Sequence, residues 1–198
     1  MYLVCGLIIS SLIFVNGFDQ TKLWKIPPPM KNYHVPSGLG RWYYQFNQAA
    51  CSWSGSREYS DYEIFLEPES KNSLLFTLTM RNEFCNTIKG RSYIIAPGVF
   101  TAKDTVGNNF SGTYTVVAED PKTFSISYGC TKMSVLGDKC DDASLKIKTR
   151  MPFPSKKVIA QINRELKRIW GITVNDLPRS LFRKSCRDEL YKKTYHGK

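Results

Sequence analysis

The chain is poor in histidine, with only His34 and His196. One sits in a proline-rich leader and the other two residues from the C-terminus. That placement argues against histidine-ligated haem and against a serine- or cysteine-histidine nucleophile, which need the imidazole inside the fold. There is no CxxC pair, so the cysteines have poor metal or thiol-exchange spacing. No RNA-binding motif interrupts the sequence, and no large-scale repeat or low-complexity tract is present. Beyond residues 3–15 there is no long apolar run, which excludes a helical membrane span in the rest of the chain. Acidic residues are the minority, 17 against 28 Lys and Arg, for a formal charge of +11. The basic residues are spread out, densest over 179–198, and a solvated basic face or attraction to acidic surfaces such as sulfated glycans follows more readily than nucleic-acid binding.

What is present begins with the leader. Residues 3–15 (LVCGLIISSLIFV) are apolar and small, too short to span a bilayer, and are followed by Val15-Asn16-Gly17. This predicts a signal peptide over 1–17 and a secreted, extracellular chain mature from about Phe18. Of six cysteines, Cys5 falls in that leader, leaving Cys51, Cys85, Cys130, Cys140 and Cys186. In an oxidising compartment these read as disulfide-forming, with one left over. A sequon, Asn109-Phe110-Ser111, makes Asn109 a candidate glycosylation site.

From Gly40 the apolar pattern has period two. Trp42, Tyr44 and Phe46 share a face. Tyr62, Ile64 and Leu66 oppose Glu63 and Glu67, and Leu74, Phe76, Leu78 and Met80 form a third set. Further strands are expected over 92–96, 99–103, 114–118, 124–128 and 145–149, separated by short turn signals. Eight antiparallel strands, each with one apolar face, predict an all-β, up-and-down barrel over about 40–150. A two-sheet sandwich is the competing architecture. The period then switches. Val158, Ile159, Ile162, Leu166, Ile169 and Trp170 lie at helical spacing, opened by Pro154-Ser155 and closed by Gly171. One C-terminal α-helix over about 155–170 should pack on the outside of the barrel, followed by a basic tail over 171–198.

These residues resemble the lipocalin family. Gly40-Arg41-Trp42 resembles its first-strand motif. The hairpin from Thr113 through Glu119-Asp120 to Cys130 resembles its sixth and seventh strands, although Ala118 and Pro121 depart from the acidic-turn motif. The segment 145–150 resembles the eighth strand with its arginine, Arg150. Cys130 and the helix–tail–cysteine ending make the apolipoprotein D and insect biliprotein branch the most similar. The resemblance covers residues 38–186, so 18–198 is expected to be a single domain. It implies structural roles for Gly40, Trp42, Asp120 and Arg150, with Arg150 packed across the Trp42 indole at the closed end. It also implies that Cys51 or Cys85 pairs with Cys186. Because residues 18–39, ahead of the first strand, have no cysteine, Cys130 needs a new partner, and Cys140 is next along the hairpin.

The resemblance implies a cup for a small hydrophobic molecule: a lipid, retinoid, bilin or similar. By alternation the inward, ligand-binding candidates are Tyr44, Phe46, Tyr62, Ile64, Leu66, Phe76, Leu78, Met80, Tyr114, Val116, Phe124, Ile126 and Tyr128, with Ile147. No acidic residue is expected among them. No catalytic residue, metal ligand or cofactor is assigned, the carboxylates Asp138, Asp141 and Asp142 reading as a solvated hairpin. The expected function is binding, transport or sequestration without chemistry. The alternative is a side-chain-filled barrel whose basic surface meets a protein or acidic glycan. An enzyme using a cavity cysteine is a third reading.

Overall fold

The computed structural model describes residues 20–48, 59–104 and 111–190. Eight strands run in chain order: β1 (Gly40–Gln48), β2 (Ser60–Ser70), β3 (Ser73–Arg81), β4 (Cys85–Ala96), β5 (Val99–Asp104), β6 (Ser111–Asp120), β7 (Phe124–Met133) and β8 (Cys140–Thr149). Each pairs antiparallel with the next, and β8 pairs with β1, so the sheet closes into a barrel. The sandwich is excluded. Closure leaves no edge strand, since every ladder finds a partner.

The helix α1 spans Lys156–Trp170 and has the ends its sequence predicts. Ser155 caps it by accepting from the Val158 N–H, and Gly171 closes it in the left-handed region at φ 70°. Its buried stripe is Ile162, Leu166 and Trp170. These pack on Ile126, Leu145 and Ile147 of β7 and β8, with Leu23 from the leader and Ile172, Val174 and Leu177 from beyond the helix. Trp170 stacks on Tyr128 with ring centres 6.0 Å apart. Each such side chain contributes about 1.5–3 kcal/mol of burial, so this outer layer is a solid core in its own right.

Past the helix the chain crosses the outside of β1 and β2. The Ser180 N–H donates to Gln45 O at 2.8 Å, and the Asn47 N–H to Pro178 O at 3.2 Å. Cys186 is bonded to Cys85 at the start of β4, and Cys130 to Cys140 across the β7–β8 hairpin, with Cα separations of 5.3 and 5.8 Å. Cys51, Asn109, His196 and the 1–17 leader lie outside the described residues. Among the described residues no helix is long and apolar enough to cross a membrane.

Two irregularities decide which side chains face inward. The β1–β8 register shifts between Tyr44 and Phe46, and the β6–β7 register shifts between Val116 and Ala118. A bulge adds one residue and reverses the facing of everything beyond it.

Candidate functional site

One end of the barrel is closed by the leader. A 3-10 turn, Val35–Gly38, delivers the chain to Gly40, whose φ of 88° is open to glycine and strained for other residues. Trp42 is fully buried there and donates its indole N–H to Gly38 O at 2.7 Å. The Arg150 guanidinium lies 3.5 Å over the Trp42 ring. Tyr33, from the leader, meets Phe100 edge-on at 5.7 Å. At the β6–β7 turn, the Asp120 carboxylate accepts from the Lys122 N–H at 3.0 Å.

Above this floor the barrel encloses a cavity of about 210 Å³. A single water occupies ~10–15 Å³ on this measure, so side chains do not fill the interior. Seven of the sequence-derived candidates line it: Tyr44, Ile64, Leu66, Phe76, Leu78, Tyr114 and Val116. Tyr62 and Met80 lie beyond the cavity in a cluster with Tyr44 and Tyr59, at the end away from Trp42. Leu74, Ile88, Phe100 and Ala102 complete the apolar wall. Ile88 was missed because β4 begins earlier than its apolar run, at Cys85.

Four candidates and Ile147 must be corrected. Phe46, Phe124, Ile126, Tyr128 and Ile147 belong to the outer core under α1, not to the cavity. Phe46 is reversed by the β1 bulge. On β7 and β8 the alternation is real but its sense is inverted, because the outer face here is the one covered by the helix.

The inward face of β7 and β8 therefore carries the polar set: Ser125, Ser127, Lys146 and Lys148. Glu119 joins them from β6 beyond its bulge, which corrects the expectation that no acid faces inward. The register places Ser125 directly opposite Lys148 and Ser127 opposite Lys146. Lys146 Nζ sits 4.1 Å from the centre of the Tyr114 ring, and Lys148 Nζ 5.9 Å from that of Trp42. Burial pushes the Lys146 ammonium down to about 7, with repulsion from Lys148 adding to it. Burial likewise brings Lys148 down to about 8, Glu119 opposing the shift and Arg150 assisting it. Glu119 accepts from the Ser37 hydroxyl at 2.7 Å. Tyr44 and Tyr114 are raised above the usual phenol range by burial.

Glu63, placed outward by alternation, is outward but buried, at 1% exposure. Arg41 lies 3.8 Å from it, and burial raises its carboxyl. Asp138 and Asp142 accept hydroxyl hydrogen bonds from Ser134 and Thr131. Among the described residues no cluster of His, Cys, Asp or Glu could hold a metal ion.

No family sequence model and no curated protein sequence matches the chain. Solved structures do. Lobster apocrustacyanin A1 is similar at 15% identity with a TM-score of 0.62, the match covering 88% of this chain and 91% of that one. Insecticyanin from the tobacco hornworm Manduca sexta is similar at 13% identity and a TM-score of 0.66, over 81% of this chain and 88% of that one. The major allergen Per a 4 from cockroaches matches at 16% identity and a TM-score of 0.64, over 81% and 95%. What this chain shares with them is the fold: a closed eight-stranded lipocalin barrel with a helix packed against its wall.

Proposed function

We propose that the protein is a secreted lipocalin that binds a small hydrophobic molecule inside its barrel and carries or sequesters it, performing no chemistry. The observation that carries this reading is the cavity itself. A chain of this length could have filled an eight-stranded barrel with side chains. Here apolar residues from β1 to β6 stand around empty space instead. In this reading residues 1–17 act as a signal peptide, the two disulfides suit an oxidising exterior, and Asn109 carries a glycan. The branch of apolipoprotein D and the insect biliproteins remains the family placement we favour.

The test is a mass comparison on protein secreted from eukaryotic cells and deglycosylated. Native mass exceeding denatured mass by a discrete small molecule is the expected result. A bare chain that also leaves its Trp fluorescence unchanged with lipids, retinoids and bilins overturns the reading.

A further inference from the structure

The helix α1 turns charge of one sign to solvent. Its exposed positions are Lys156, Lys157, Arg164, Lys167 and Arg168, and otherwise only Ala160. Glu165 is the one acid on the helix, and Arg168 engages it at 2.6 Å. Among the described residues the other four cations have no carboxylate partner. Just past the helix, Asp176 is taken up by the Thr173 N–H and hydroxyl.

A face shaped only for water mixes the two signs, because opposite charges three or four residues apart support a helix. Here Arg164 has Lys167 and Arg168 at those spacings, like charges on neighbouring sites. Lys156 and Lys157 stand in the first turn, which holds no acid and where the helix dipole disfavours cations. The helix therefore keeps local repulsion in order to keep one sign on one face, a departure of the kind that marks functional surfaces.

We propose that this face binds a linear sulfated polysaccharide, whose sulfates meet the cations around Ala160. Helical spacing makes Lys156, Lys157 and Arg164 surface neighbours of Ala160, with Lys167 and Arg168 one turn further on. The small side chain leaves the plate between them flat. It runs about 18 Å along the helix axis, which suits an elongated polyanion rather than a single small anion.

The same face is poorly fitted to other partners. Its apolar stripe, Ile162, Leu166 and Trp170, is buried against the barrel, so nothing is left to enter a bilayer. It exposes no aromatic ring for stacking single-stranded bases and no aromatic anchor for a protein hot spot. The plate lies outside the barrel and does not depend on a cargo within it. The choice of a glycan over duplex nucleic acid rests on the secreted reading.

The experiment measures binding of full-length mature protein to a heparin oligosaccharide, to hyaluronan, which bears carboxylates and no sulfates, and to a duplex DNA of matched length, by calorimetry at about 0.15 M salt. Heparin is expected to bind at least about tenfold tighter than either, and to weaken as salt rises. Changing Lys156, Lys157, Arg164 and Lys167 together to Gln should lower heparin affinity at least about tenfold, the combined loss of four exposed charge contacts. A control with Lys71, Lys122, Lys132 and Lys139 changed to Gln removes the same charge from other exposed sites and should stay within about twofold. Glutamine is a good helix former and relieves the repulsion, so the urea midpoint of the α1 variant should not fall. Absence of heparin binding, equal losses in the two variants, or hyaluronan or DNA binding as tightly as heparin overturns the proposal and leaves the carrier reading standing.

Discussion

Asp61 and Arg81 form an ion pair at 2.8 Å on the outside of the barrel, with Asp61 wholly excluded from solvent. The cover is the C-terminal tail, whose Arg183 and Lys184 backbone N–H groups donate to the other oxygen of the same carboxylate. Asp61 adopts φ 54°, a conformation that Asp tolerates better than most residues. One side chain therefore joins β2, β3 and the tail. Asp61→Ala should lower stability by about 3 kcal/mol, since it strands two backbone donors and leaves the half-buried Arg81 with Glu189 as its remaining carboxylate partner. Asp61→Asn, which keeps an acceptor, should cost roughly half of that. Urea titrations of the three proteins check the order.

The tail has a second anchor in the Cys85–Cys186 bond, which closes a sequence separation of 101. Replacing both cysteines by serine should cost about 2–5 kcal/mol through the unfolded chain's regained freedom. Limited proteolysis should then cut within residues 177–190 before the barrel itself. Equal protease resistance with and without the bond would show that the non-covalent contacts, those of Asp61, Gln45 and Asn47 among them, secure the tail unaided.

Arg150 offers a test of shape against charge. Its guanidinium N–H groups reach four carbonyls on two separate segments, residues 37–41 and Pro121, while its plane covers Trp42. Arg150→Lys keeps the charge, but a point ammonium cannot span those acceptors. Loss of about 2–3 kcal/mol is expected, together with a shift in Trp emission. A variant as stable as the parent would mean that the cation alone matters.

Stability of the ligand-free protein should depend on pH in a way unusual for a basic chain. Lys146 and Lys148 release protons near 7 and 8 when folded, against an ordinary lysine value of 10.5. Between about pH 7 and 10 the unfolded chain binds more protons, so unfolding free energy rises with pH. Buried Tyr33, Tyr44, Tyr62, Tyr114 and Tyr128 hold their protons above the ordinary phenol value of 10.0. Past pH 10 the unfolded chain is the one that loses protons first, and stability falls. A maximum near pH 10, flattened on its acid side in Lys146→Met, is the expected urea-midpoint profile. A profile that declines steadily from pH 7 would show that the lysines are hydrated and ordinary.

The barrel and its helix were legible in the sequence because period two and period 3.6 are local properties. Ser155 and Gly171 even marked the helix ends. Which face of each strand looks inward was legible only where the other face carries polar side chains. On β2 and β3, Ile64, Leu66, Phe76 and Leu78 alternate with a set that includes Glu63, Glu67, Thr77 and Thr79, and alternation located them. On β7 and β8 both faces are covered, one by α1 and one by the cavity, so Leu145 and Ile147 mark the helix side and Lys146 and Lys148 the interior. Hydrophobicity pointed the wrong way there, and the lysines looked like solvated surface. Phe46 and Glu119 escaped for another reason: each sits just past a bulge, and nothing in their immediate neighbours announces an extra residue.

The β7–β8 hairpin is thus a party wall between a solid room and a hollow one. Its outer side chains answer to the helix, and its inner ones line the cavity. Because successive residues alternate between the two, the inner chemistry can be rewritten residue by residue without disturbing the packing behind it. Exchanging Lys146 and Lys148 for leucines would turn the inner wall apolar, with α1 still seated on Leu145 and Ile147.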